Sequence, residues 1–286
     1  LDLHGPVAPL QAAVVRPADV PSGVRAGLPV AARAHTPLFP YPRPAGAMDP
    51  SDPSAQAGPP EFWAQARRSL ARRDRVLGGI MRACGPLHLV PRSDPYLTLA
   101  RSIVGQQISV AAAQTIWGRV ERACGTVHPD RVARMREATL TRCGLSARKV
   151  EYLRDLSVKF RTGELDPARW QAMDDESVIA ELTQVRGIGR WTAEMFLIFN
   201  LLRPDVLPLD DIGLLRAIAL KYPVQAPGPD GDGEAPALSA ASRHRQTRRQ
   251  AEALGESWRP WRSVATWYLW RSLDPVVVEY KANKHP

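Results

Sequence analysis

Two short segments carry residues whose types and spacing suit chemistry. In LTQVRGIGRWTAE, residues 182–194, Gly187 and Gly189 flank an apolar Ile188 between two helical patterns. Glycine is needed where a tight hairpin requires positive φ, or where backbone approaches another group closely. Such a hairpin turns successive N–H groups outward above a helix N-terminus, which makes a seat for a phosphate. A lone GxG most often marks an ordinary turn, so the downstream context matters. Twenty residues past Trp191, LPLDDI (207–212) ends in two adjacent acids, Asp210 and Asp211, that open an amphipathic helix. A carboxylate fixed at a helix start can stabilise developing positive charge or take a proton from water. It can also simply cap the helix. Capping accounts for most of Asp210 and for less of Asp211.

These segments need a scaffold, and the sequence predicts a helical one. Tyr96, Leu99, Ala100, Ile103 and Val104 repeat at the spacing of one helix face. Val110, Ala113, Trp117 and Val120 do the same behind Ser109, a predicted N-cap. Met195, Phe196, Phe199 and Leu202 mark another helix, Ile212, Leu215 and Ala219 a further one, and Trp261, Val264, Ala265 and Tyr268 the last. Strand alternation is scarce. The expected fold is all-α, about 220 residues in two helical lobes. Residues 224–243 are rich in Pro, Gly, Asp, Ser and Ala, and predict a solvated surface loop.

The ends and the charge set limits. Of 27 prolines, thirteen fall in residues 1–60, without apolar periodicity. Such a segment buries too little surface to offset its ordering entropy, which predicts a disordered tail over residues 1–58 and a folded part over 59–286. The chain begins at Leu1 and Met48 lies just before the folded part, so residues 1–47 are expected to precede the natural start, a point N-terminal sequencing of the native protein decides. Residues 1–60 hold four Arg and four Asp, so the net charge of +9 belongs to the rest of the chain. A basic folded part suits a polyanionic partner. No apolar run approaches the roughly 20 residues needed to span a bilayer. No secretory signal core precedes a cleavage site. Cys84, Cys124 and Cys143 are too few and too scattered for a metal knuckle or a disulfide framework, and are expected to be packed thiols. The six His show no ligand spacing. The expectation is a monomer without a membrane, cytoplasmic and nucleoid-associated in a bacterium or nuclear in a eukaryote.

Taken together, the hairpin VRGIGRWTAE and the pair in LPLDDIGL, with SIVGQQIS (102–109), GLSARKVEYL (144–153) and SWRPWRSVATWYLWR (257–271), resemble the helix-hairpin-helix (HhH-GPD) DNA glycosylases. Within these, the likeness is to the 3-methyladenine DNA glycosylase II type, and it runs from about residue 61 to 280. The resemblance implies a base-excision repair enzyme acting on double-stranded DNA that contains alkylated bases. It makes Asp211 the catalytic carboxylate. Bifunctional members carry a catalytic lysine where this chain has Trp191; without that amine no Schiff base forms by that route, which implies hydrolysis alone. The four-cysteine cluster motif of some relatives is missing, so no iron–sulfur centre is expected.

The same likeness distributes the remaining roles. The loop Gln106-Gln107-Ile108 supplies the wedge that helps flip a nucleotide. For Gln106, capping of neighbouring backbone is an equally good account. Trp191 has the best positional claim on a base pocket, where an electron-rich face attracts a cationic purine. One of Trp258, Trp261, Trp267 and Trp270 is expected to join it, with Trp261 as the choice. Arg148, Lys149 and Arg190, with Gly187 and Gly189, are expected phosphate contacts. The carbonyls of Thr183, Val185 and Gly187 resemble a Na⁺ or K⁺ site; no cofactor is otherwise required. Three readings compete: a non-catalytic DNA clamp, a glycosylase (or glycosylase/lyase) for another damaged base, and a helical scaffold with no nucleic-acid role.

Overall fold

The computed structural model describes residues 58–92, 94–223 and 239–273. The expected tail of residues 1–58 lies outside these but for Gly58, as do residues 224–238 of the expected loop and the last thirteen residues. Among the described residues there are thirteen α-helices and no strand: α1 (Trp63–Arg73), α2 (Arg75–Cys84), α3 (Pro95–Gly105), α4 (Val110–Cys124), α5 (Pro129–Arg134), α6 (Glu137–Arg142), α7 (Ala147–Thr162), α8 (Pro167–Trp170), α9 (Asp175–Thr183), α10 (Arg190–Phe199), α11 (Ile212–Lys221), α12 (Ala240–Trp258) and α13 (Arg262–Arg271). No described helix is long and apolar enough to cross a membrane.

The helix starts are set by short polar side chains that satisfy orphan N–H groups. Ser109 accepts from Ala112 N and Ser146 from Lys149 N, at the heads of α4 and α7. Asp94 caps α3, with Pro95 behind it in the first turn, where its missing N–H costs nothing. Ser239 accepts from Ser242 N, so residues 240–243, expected as loop, are the first turn of α12. A cap followed by two alanines outweighs the loop-like composition upstream.

Two groups of helices share one apolar core. In the first, α3 packs on α4, α7 and α10, while α5 and α6 lie on α7 and α9 on α10. In the second, assembled from the two ends of the described chain, α13 packs on α1, α2, α11 and α12. Phe199 of α10 and Trp270 of α13 stack at 5.8 Å across the junction. Asp74, which caps α2, also accepts from Tyr222 Oη at 2.7 Å and Trp258 Nε1 at 2.9 Å, tying α2 to the ends of α11 and α12. Two expected faces are corrected. Leu202 lies beyond the end of α10, and Ile212 is 60% exposed because α11 buries Leu214, Leu215, Ala217 and Ile218 instead.

Candidate active site

The hairpin joins α9 to α10 through residues 184–189. Gly187 sits at φ +81°, and a Cβ there would fall inside the ring of Tyr152, so both conformation and space require glycine. Tyr152 belongs to α7, whose Asp155 also accepts the Arg186 N–H at 2.8 Å. Gly189 differs. Its φ is −96° and the space a Cβ would fill is open. It heads α10 without any side-chain cap, which leaves the first N–H groups of α10 available to an anion.

Asp211 is 5% exposed and heads α11. Its Oδ1 accepts from Leu214 N at 2.6 Å, the capping bond, and from Trp270 Nε1 at 2.7 Å. Its Oδ2 accepts from Trp191 Nε1 at 2.9 Å. Trp191 stands in the first turn of α10, directly after the hairpin. The hairpin and a buried carboxylate are thus joined by one indole. Capping needs only the Leu214 bond. Two indole donors fix the plane of the carboxylate as well, and each charge-assisted bond is worth about 1.5–3 kcal/mol in place.

Capping, expected mostly of Asp210, falls to Asp211 instead, and the neighbouring acid is different in kind. Asp210 is exposed and pairs with Arg248 of α12, which also donates to the Leu209 carbonyl at 3.4 Å. Upstream, Asp205 accepts from Arg262 Nε at 2.8 Å and from Arg259 at 3.0 Å, so the strap entering α11 is pinned along its length.

The other expected site residues separate into those at the hairpin and those held elsewhere. Gln106 Nε2 donates to the Gly187 carbonyl at 2.7 Å, linking the loop expected as the wedge to the hairpin. Gln107 is exposed and takes a left-handed conformation, at φ +58°. Arg148 is exposed at the head of α7. Lys149 donates its ammonium to the Val104 carbonyl at 2.8 Å, and burial lowers its pKa; it straps α7 to α3. Arg190 forks onto Glu176, at 2.9 Å through one nitrogen, and reaches Glu194 at 3.1 Å. Lys149 and Arg190, two of the three cations expected to meet phosphate, are therefore already engaged. Trp261 stacks on Phe62 at 6.0 Å, and the C-terminal tryptophan against Asp211 is Trp270. Of the three carbonyls expected for a cation, Val185 accepts from Ile188 N at 3.0 Å and Gly187 from Gln106.

One residue of the neighbourhood was not foreseen. Glu194, 6% exposed on α10, has its pKa pushed up to about 7 by burial, against the opposing pull of Arg190. An acid inside the apolar run Trp191–Phe199, four residues after an arginine, was the available signal.

A family model described as HhH-GPD superfamily base excision DNA repair protein matches residues 100–230. DNA-3-methyladenine glycosylase 1 of Schizosaccharomyces pombe is 31% identical over 192 residues, 65% of this chain and 76% of that protein. The DNA-3-methyladenine glycosylase of Saccharomyces cerevisiae is 34% identical over 197 residues, 62% of this chain and 66% of its own. Among solved structures, the DNA-3-methyladenine glycosidase of Bacillus halodurans superposes with a TM-score of 0.60 at 32% identity, covering 72% of this chain and 88% of that one. The Schizosaccharomyces pombe 3-methyladenine DNA glycosylase in complex with abasic DNA gives 0.59 at 26% identity, covering 73% and 96%. With its hairpin, its aspartate at the head of α11 and these relatives, the chain belongs to the HhH-GPD superfamily of base excision DNA repair proteins.

Proposed function

We propose that this protein is a DNA glycosylase that flips an alkylated purine out of double-stranded DNA and hydrolyses its N-glycosidic bond, without cleaving the strand. The observation that carries this is the Asp211 carboxylate, buried and held by one backbone and two indole N–H groups. As the base departs, positive charge develops on the sugar. A fixed, buried carboxylate stabilises that charge and needs little reorganisation to do so. Water adds at C1′ and the base leaves; no oxidation state changes. Trp191 serves twice, since its N–H orients Asp211 while its face is placed to meet a cationic purine. Indole in the position where bifunctional members carry a lysine offers no amine for a covalent intermediate.

The hairpin supplies the backbone contact, through the uncapped N–H groups of α10 and the open space at Gly189. A Na⁺ or K⁺ there would draw on the carbonyls of Thr183, Val185 and Gly187, since the oxygens of Val185 and Gly187 each keep a second lone pair beside the hydrogen bond they accept, and would neutralise phosphate charge. The chemistry at C1′ does not pass through it.

The chain is expected to act as a monomer. Duplexes each carrying one lesion (7-methylguanine, ethenoadenine, hypoxanthine, 8-oxoguanine) test the reading directly. Excision of the alkylated purines with no borohydride-trapped protein–DNA adduct supports it. Excision of 8-oxoguanine with an adduct, or of nothing, sinks it.

A further inference from the structure

The arginines beside the hairpin are neutralised. Arg186 pairs with Glu151, and Arg190 with Glu176 and Glu194. The hairpin thus offers backbone N–H groups with little net charge, and attraction for a polyanion has to arise elsewhere. The first eleven residues of α12, AASRHRQTRRQ (240–250), hold four arginines, one histidine and no acid. At 100° per residue, His244, Arg248, Arg245 and Arg249 fall within an arc of roughly 140°, with Arg243 on the far side. Like charges four residues apart, as at Arg245 and Arg249, cost a helix a few tenths of a kcal/mol. A concentration of this kind is not what helix stability alone would select.

The position of this face is fixed by contacts already described. Arg248 holds Asp210 and the Leu209 carbonyl, immediately before Asp211. Farther along α12, Gly255 lies so close to Leu207 that a Cβ would collide with it. The helix therefore runs along the strap that delivers the catalytic carboxylate. Arg248 is occupied by Asp210 and Glu252, but Arg245 and Arg249 are exposed and have no carboxylate partner among the described residues.

We propose that the arginine face of α12, with Arg245 and Arg249 as its contacts, is a second phosphate-binding surface that takes the DNA backbone next to the Asp211 site. This rests on the DNA-glycosylase reading and adds to it a contact outside the hairpin. Guanidinium groups fork onto phosphate oxygens without reading bases, so the contact is independent of sequence and of lesion. It supplies the steep salt dependence that a neutralised hairpin lacks.

The test is duplex binding by fluorescence anisotropy over a range of NaCl concentrations. It compares wild type, Arg245→Gln/Arg249→Gln, and the charge-keeping Arg245→Lys/Arg249→Lys. Each phosphate contact contributes about 0.9 to the slope of log K against log salt, so the glutamine pair should lower the slope by about 2 and the lysine pair by much less. Affinity at low salt should fall by at least tenfold. A control, Arg134→Gln/Arg136→Gln, removes the same charge beyond the far end of α4, and should leave the slope near wild type. A glutamine pair with the wild-type slope, or with no more loss than the control, overturns the proposal while excision by wild type leaves the glycosylase reading standing. A wild type without DNA affinity overturns both.

Discussion

Replacing Trp270 by Phe isolates what the second indole donor contributes to Asp211. The phenyl ring keeps a face toward Phe199, so the change removes one N–H, now 2.7 Å from Oδ1, together with the volume of the indole's second ring. Trp270 is 1% exposed, so no solvent stands ready to replace that donor. Removing a donor from a buried carboxylate costs about 1.5–3 kcal/mol. Trp191→Phe removes a donor at 2.9 Å from a half-exposed indole, where water can substitute, and should cost about 1 kcal/mol or less in stability. Urea midpoints should therefore fall further for Trp270→Phe than for Trp191→Phe. If the donor's role is to hold the carboxylate where charge develops, the loss reappears in the barrier. Since 1.36 kcal/mol is tenfold in rate, single-turnover excision of 7-methylguanine by Trp270→Phe should slow by roughly 10–100-fold. Single-turnover conditions remove product release from the measurement. A Trp270→Phe rate within twofold of wild type, with a clear loss in urea midpoint, would show that the bond serves folding and not catalysis.

Other outcomes follow from the same contacts. Gly187→Ala should destabilise the protein by at least about 2 kcal/mol in urea, because it meets the Tyr152 ring at positive φ, whereas Gly189→Ala should stay within about 0.5 kcal/mol of wild type yet weaken duplex binding. Equal effects of the two changes on stability would contradict the account of the hairpin. Glu194 binds its proton more tightly folded than unfolded, having a pKa of about 7 in place of 4.5, so it draws stability from the fold as pH rises from about 4.5 to about 7 and nothing further above that. Against Glu194→Gln, whose amide can still accept from Arg190, wild type should lose roughly 1–3 kcal/mol between pH 4.5 and 7.5; parallel stability–pH curves would refute this, with Arg190, Glu176 and Asp210 common to both proteins.

What the sequence made legible was local, and what it hid was tertiary. Ser109 could be placed at a helix head because a cap is decided within four residues, whereas the cap of α11, expected mostly of Asp210, is made by Asp211. The hairpin glycines could be found for the same reason, although only the structure separates Gly187, blocked by Tyr152, from Gly189, open to a ligand. The tryptophan that reaches Asp211 could not be found this way. Residues Ser263 to Arg271 of α13 are buried on every side, so no apolar stripe shows which face turns inward, and Trp261 and Trp270 look alike as sequence. Charge misled for a related reason. Arg190 and Lys149 look like solvent-facing cations until Glu176, fourteen residues upstream of Arg190, and the Val104 carbonyl, 45 residues before Lys149, fold against them. The boundary at 243 failed because a polar, small-residue run hides the Ser239 cap of α12.

The central claim is that Asp211 is chemical and not merely a cap, and Asp211→Asn tests it most directly. Asparagine keeps an oxygen for the Leu214 N–H and removes the charge, so the helix start survives. Duplex affinity and single-turnover excision of 7-methylguanine should be measured on the same preparation. Asp211→Asn should bind duplex within a few-fold of wild type while its excision rate falls by at least 10²–10³, the loss expected on removing a main electrostatic stabiliser. Excision at the wild-type rate with binding intact would reduce Asp211 to a helix cap and contradict the account.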